Sequence, residues 1–102
     1  MAFDGTEGGA ISLETGADMT AAYRTANPGE LKGHFLGKDI LNDILNQTGC
    51  MGIRIYYGID ENGKKELVLV GANDEEDDML ELVVDQSWDC PKNCGASNDL
   101  NS

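Results

Sequence analysis

The spacing of apolar residues changes once along this chain, from a helical to an alternating period, just past Gly49. Upstream, Met19, Ala22, Tyr23 and Ala26 recur at the spacing of a half-buried helix face. Ser12 is placed to cap the first turn by accepting from an otherwise unpaired backbone N–H, and Glu14 complements the helix dipole. Gly16 weakens that first turn by about 1 kcal/mol relative to Ala. Asn27-Pro28-Gly29 stops the helix, because a pre-proline residue is restricted, proline fixes φ and glycine permits positive φ. A short extended segment fits Leu31–Leu36. A second helix follows over Lys38–Thr48, with Ile40, Leu41, Ile44 and Leu45 on one face, Gly37 at its N-cap and Gly49 at its left-handed C-terminal position.

Strict alternation then begins. In Met51–Ile59, Met51, Ile53, Ile55, Tyr57 and Ile59 fall on one side, and Gly52, Arg54, Tyr56 and Gly58 on the other. Asp60-Glu61-Asn62-Gly63 predicts a hairpin turn. A second strand spans Lys65–Ala72, and its unbroken Leu67–Val70 run suggests cover on both faces, hence a central place in the sheet. Met79–Val84 reads as a third strand, with a single helical turn as the competing reading. The order predicts an α+β fold: two N-terminal helices packed on one face of a small antiparallel meander of about three strands, followed by an irregular, Cys-containing tail.

Length and charge narrow the function. At 102 residues the chain fits one domain. The expected layout is a flexible acidic, Gly-rich arm over 1–10, an α+β domain over 11–89 and an irregular tail over 90–102. A net charge of −12 opposes binding to nucleic-acid phosphates and to anionic membrane surfaces. The acidic start lacks the basic and apolar stretches of a secretory signal, which leaves the cytoplasm as the default expectation.

The run Ile44–Gly71, with its Gly49-Cys50, Ile53-Arg54-Ile55-Tyr56 and Asp60–Gly63 parts, and the tail Cys90-Pro91-Lys92-Asn93-Cys94 together resemble a family of small bacterial proteins to which no activity is assigned. The resemblance implies that the hairpin and the Cys tail belong to one unit. It implies nothing catalytic.

Four residues offer metal or thiol chemistry: His34, Cys50, Cys90 and Cys94, the number a structural zinc takes. His34 and Cys50 flank the second helix, however, and about 16 Å of helix separates its ends, which makes one shared ion awkward. A Cys90–Cys94 disulfide is the simpler expectation under oxidising conditions. Cys50 reads as a small, half-buried residue where helix meets strand. No base is placed to activate a thiol there, so the sequence leans away from an enzyme. Gly33–Asp39 superficially resembles a phosphate loop, but Asp39 stands where a hydroxyl is needed. The acids from Asp74 to Asp89 read as a solvated loop and lack the EF-hand order that would hold calcium.

Arg54 and Tyr56, on the flat outer side of the first strand, are the candidate interaction face, since Arg and Tyr are enriched at binding hot spots. The expectation is therefore a non-enzymatic interaction or assembly module without a cofactor, meeting a protein partner or forming a homo-oligomer through its sheet face or edge. The alternative is a metal-binding (zinc) or thiol-redox module using the C-terminal Cys pair.

Overall fold

Seven elements follow one another over residues 2–102, the part of the chain that the computed structural model describes; Met1, part of the expected arm, lies outside it. They are helix α1 (Leu13–Ala26), strand β1 (Gly33–Phe35), helix α2 (Lys38–Leu45) and strands β2 (Gly52–Ile59), β3 (Lys65–Ala72), β4 (Asp78–Val84) and β5 (Trp88–Cys90). The fold is α+β, with one antiparallel sheet in the order β2-β3-β4 and a second formed by β1 and β5. The elements group into two compact units: Leu36–Ser87 with the residues up to Glu7, and Gly8–Phe35 with Trp88–Ser102.

In the first unit, α2 lies on the meander because its apolar face matches one face of the sheet. Ile44 is fully buried against Leu69 and Val84, and Ile40, Leu41, Ile53 and Leu67 pack around them. The helix ends at Leu45, short of the Thr48 expected from the spacing, and Leu45 is exposed. Polar Gln47 competes for the backbone there: its side-chain amide donates to Ile44 O at 3.0 Å. Gly49 then turns the chain with φ +86°.

The strands follow the alternation. β2 and β3 pair in one unbroken register from Gly52↔Ala72 to Ile59↔Lys65. β4 is a strand, not a helical turn, and its register slips: Val70 faces Val83, but Gly71 faces Met79. Central β3 is covered on both faces, as its apolar run implies, since sequence neighbours Leu69 and Val70 are both buried.

The two hairpins are closed by equivalent loops. Asp60 Oδ1 accepts from Asn62 N and Lys64 N, and Asn73 Oδ1 accepts from Glu75 N and Asp77 N. Gly63 has φ +81° in the first loop, and Glu76 occupies the matching position of the second with φ +71°. A side chain is strained in that conformation by about 1–2 kcal/mol. Glu76→Gly is expected to raise stability, by up to about 1 kcal/mol after glycine's greater unfolded-state entropy is counted, as read from the urea midpoint. A lowered midpoint contradicts the equivalence of the loops.

The second unit departs from expectation at both of its ends. Ser12 caps α1 as predicted, accepting from Thr15 N at 3.1 Å, and Asn27 closes it. Yet Met19, Ala22, Tyr23 and Ala26 are all exposed, and the half-buried face is Gly16, Ala17, Thr20, Ala21 and Arg24. Small side chains let the C-terminal segment come close: a Cβ on Gly16 would stand 3.5 Å from the Leu100 side chain, and Arg24 Nη1 donates to Leu100 O at 2.8 Å. The expectation that both helices share one face of the meander holds for α2; α1 is part of the second unit and buries no side chain fully. The tail is also less irregular than expected at its start. Trp88–Cys90 pairs with Gly33–Phe35, Gly33 facing Cys90 and His34 facing Asp89. Three-residue strands are too short to show a period.

Candidate functional site

Register places Arg54, Tyr56, Val70, Ala72 and Asp78 on one face of the meander, because Gly52 faces Ala72, Ala72 faces Asp78, and alternate residues share a side. Arg54 and Tyr56 reach across β3 to the same carboxylate. Arg54 Nη1 donates to Asp78 Oδ1 at 2.5 Å and to Glu76 O at 3.2 Å, and Tyr56 Oη donates to Asp78 Oδ2 at 2.5 Å. The Arg54 guanidinium carbon lies 5.4 Å from the centre of the Phe3 ring, within cation–π range, and Phe3 N donates to Asp74 O at 3.1 Å. Below this cluster Val70 is only 2% exposed. The side expected to be an open recognition surface is thus a tied-down network with Phe3 against it.

The network sets the charges of its members. The hydrogen bond to Asp78 raises Arg54 above its ordinary value. The same carboxylate, by accepting a hydrogen bond from the phenol, raises Tyr56. Asp78 is held below the usual carboxylate range, first by the Tyr56 bond and then by Arg54, against the opposing effect of burial. A raised Tyr56 supports the fold below the ordinary phenol value, about 10, and that support is lost as pH rises through its folded-state value. A lowered Asp78 supports it above about 3.9, and that support is lost as pH falls through its folded-state value. Asp78→Asn is expected to bring Tyr56 ionisation to lower pH, read by NMR of labelled tyrosine. The stability gap between native and variant is expected to be widest between those limits. An unchanged Tyr56 titration contradicts the network.

Beside the network lies an open groove of ≈360 Å³ lined by Phe3, Gly5 and Glu7 on one side and by Met51–Arg54 and Ala72 on the other. Glu7 is occupied in capping its own turn, accepting from Asp4 N and Gly5 N at 3.0 Å each. Arg54 is committed to Asp78. The lining therefore presents no nucleophile beside a base.

The opposite face of β2 differs more from expectation. The alternation puts Met51, Ile53, Ile55, Tyr57 and Ile59 on one covered side, but of these only Ile53 packs against the α2 core cluster. Ile55 is 54% exposed, Tyr57 93% and Ile59 73%. Length explains it: an eight-residue helix covers about 12 Å, whereas eight strand residues span about 27 Å. The distal half of β2 outruns its cover.

The remaining candidates separate. Cys90 and Cys94 are joined by a disulfide, with Cα atoms 4.7 Å apart. His34 is in the same unit, its Nδ1 3.6 Å from Asp89 Oδ1 across the β1–β5 pair. Cys50 is in the other unit at the α2–β2 junction, where its thiol donates to Gly52 O at 3.2 Å. Asp78 and Phe3 escaped the sequence reading. Asp78 is one of five consecutive acids, and only the register singles it out; Phe3 stood in a segment whose composition suggested an arm.

Comparison with protein-family models, with curated proteins and with solved structures gives no match.

Proposed function

We propose that this chain is a small acidic, non-enzymatic interaction or assembly module that engages a protein partner, or a second copy of itself, through the face and free edge of β2. The observation that carries this reading is the exposed Ile55–Tyr57–Ile59 row on a strand with one neighbour. Exposed apolar rows on sheet edges mark association surfaces. On the reverse side Tyr56, itself exposed, and Arg54 are held in fixed geometry by Asp78, so an aromatic and a guanidinium are presented with little ordering left to lose on binding. Localisation belongs to the same proposal: no helix among the described residues is long and apolar enough to cross a membrane.

The test is a photo-crosslinking residue placed at Tyr57 and, as control, at exposed Leu45 on α2. Adducts that form from position 57 and not from 45 support the module; no adduct from 57 in the native host removes it.

A thiol-redox reading has one observation in its favour, the Cys90–Cys94 disulfide across a four-residue separation. A redox module requires that pair to exchange within the glutathione range, roughly −180 to −320 mV. A pair that stays fully oxidised or fully reduced across that range rules it out. A zinc ion held by both thiolates requires the disulfide to open first, which makes metal uptake under reducing conditions its test.

A further inference from the structure

The two edges of the meander are unlike. β4 is blunted as natural edge strands are: its register slips by three residues opposite Val70–Gly71, and it carries Glu81. β2 has neither device. It runs eight residues in unbroken register, with no proline and no acid, in a chain that carries 19 acids against 7 bases. Its only charge, Arg54, is neutralised by Asp78.

The backbone of β2 is oriented to match. Asp60 N donates to Lys64 O at 2.9 Å at the hairpin end, which makes that pair a hydrogen-bonded one. Antiparallel pairs alternate, so Gly52, Arg54, Tyr56 and Gly58 direct their N–H and C=O groups to β3. Those of Ile53, Ile55, Tyr57 and Ile59 are directed to the free edge. The residues with outward backbone groups thus include the three most exposed side chains of the strand, Ile55, Tyr57 and Ile59.

We propose that the occupant of this edge is a second copy of the chain, paired antiparallel β2 to β2 about a two-fold axis at Tyr56. This rests on the module reading and names its partner. In that register Ile55 faces the partner's Tyr57 and Tyr57 the partner's Ile55. Ile53 and Ile59 face each other likewise, and Tyr56 meets the partner's Tyr56 on the other side. No acid faces an acid along Ile53–Ile59, so along this seam two copies of charge −12 meet without close like-charge contact. The result is one continuous six-stranded sheet whose outer edges are both β4, and assembly stops at two.

Sedimentation of the purified full chain from about 1 μM to about 1 mM, at low salt and at about 0.3 M, reads the pairing. The mass is expected to double with concentration and to do so earlier at high salt, because screening weakens the repulsion between the copies. Amide exchange by NMR is expected to slow on pairing at Ile53, Ile55, Tyr57 and Ile59, while Arg54, Tyr56 and Gly58 are protected throughout. Tyr57→Lys, at a site remote from the core, is expected to weaken pairing at least about tenfold, and Leu80→Lys on β4 to leave it unchanged. A monomer under every condition, a dimer whose four outward amides stay in fast exchange, or disruption by Leu80→Lys alone overturns the proposal. If the pure chain is monomeric while the crosslinker at position 57 captures a different protein, the second copy is ruled out and the module reading stands; if it captures nothing, both fall.

Discussion

Replacing Ile44 by Ala is expected to lower stability by about 2–5 kcal/mol, the range for truncating a fully buried aliphatic side chain. Among the described residues Ile44 is the largest side chain with no exposure at all, and it shares one buried cluster with Leu69 of β3 and Val84 of β4. The space left behind cannot close easily, since β3 is fixed by a strand on either side and α2 has only eight residues with which to adjust. Against a typical total of about 5–15 kcal/mol the loss is large. A urea titration followed by circular dichroism checks it: a midpoint shift equivalent to less than about 1 kcal/mol shows that α2 does not organise the core.

The second large effect is Gly71→Val. A Cβ at position 71 would stand 2.9 Å from Gln47 Nε2, 3.0 Å from Cys50 Sγ and 3.4 Å from Ile44 Cγ2. Gln47 can swing away, but Ile44 is locked in the core and the Cys50 thiol is bonded to Gly52 O. Valine adds two further methyl groups to that contact, and overpacking of this kind costs about 1–3 kcal/mol or more. Gly71→Ala is expected to be milder, and milder still when combined with Gln47→Ala. Thermal melts of the single and double variants check this; strictly additive losses mean that the two residues do not share the contact. Glycine at 71 is thus a matter of space, since its φ is not in the left-handed region.

The sequence made the meander legible because its signals were redundant. Alternation, an Asn-Gly turn and an unbroken apolar run agreed over Met51–Ala72, and β3 matches its expected bounds of Lys65 and Ala72. Cap chemistry was equally local, and Ser12 and Gly37 both stand at their predicted N-caps. What depended on tertiary contact was hidden. The half-buried side of α1 is Gly16, Ala17, Thr20 and Ala21 with Arg24, four small residues and a charged one that mark no apolar stripe, whereas the larger Met19 and Tyr23 do mark one and are exposed. The Arg54–Tyr56 face was half legible. Arg54 and Tyr56 were correctly placed opposite the Ile53 side, but their use by Asp78, across an intervening strand, follows from register and not from composition. Exposure of Ile55, Tyr57 and Ile59 follows from a helix shorter than its polar C-terminal residues suggested.

Among the described residues, the buried apolar side chains Ile44, Leu69, Val70, Ala72 and Val84 all belong to the first unit. The second is held by directional ties instead: Arg24 to the carbonyl of Leu100, Lys32 Nζ to the carbonyl of Asn101, and the Cys90–Cys94 bond. Apolar burial supplies most of the heat-capacity change of unfolding, whereas exposed polar ties supply little. Denaturation of this chain is accordingly expected to have an order. α1 and the C-terminal segment are expected to loosen first, in a shallow step open to proteases, and the meander to melt afterwards with the calorimetric signature of a packed core.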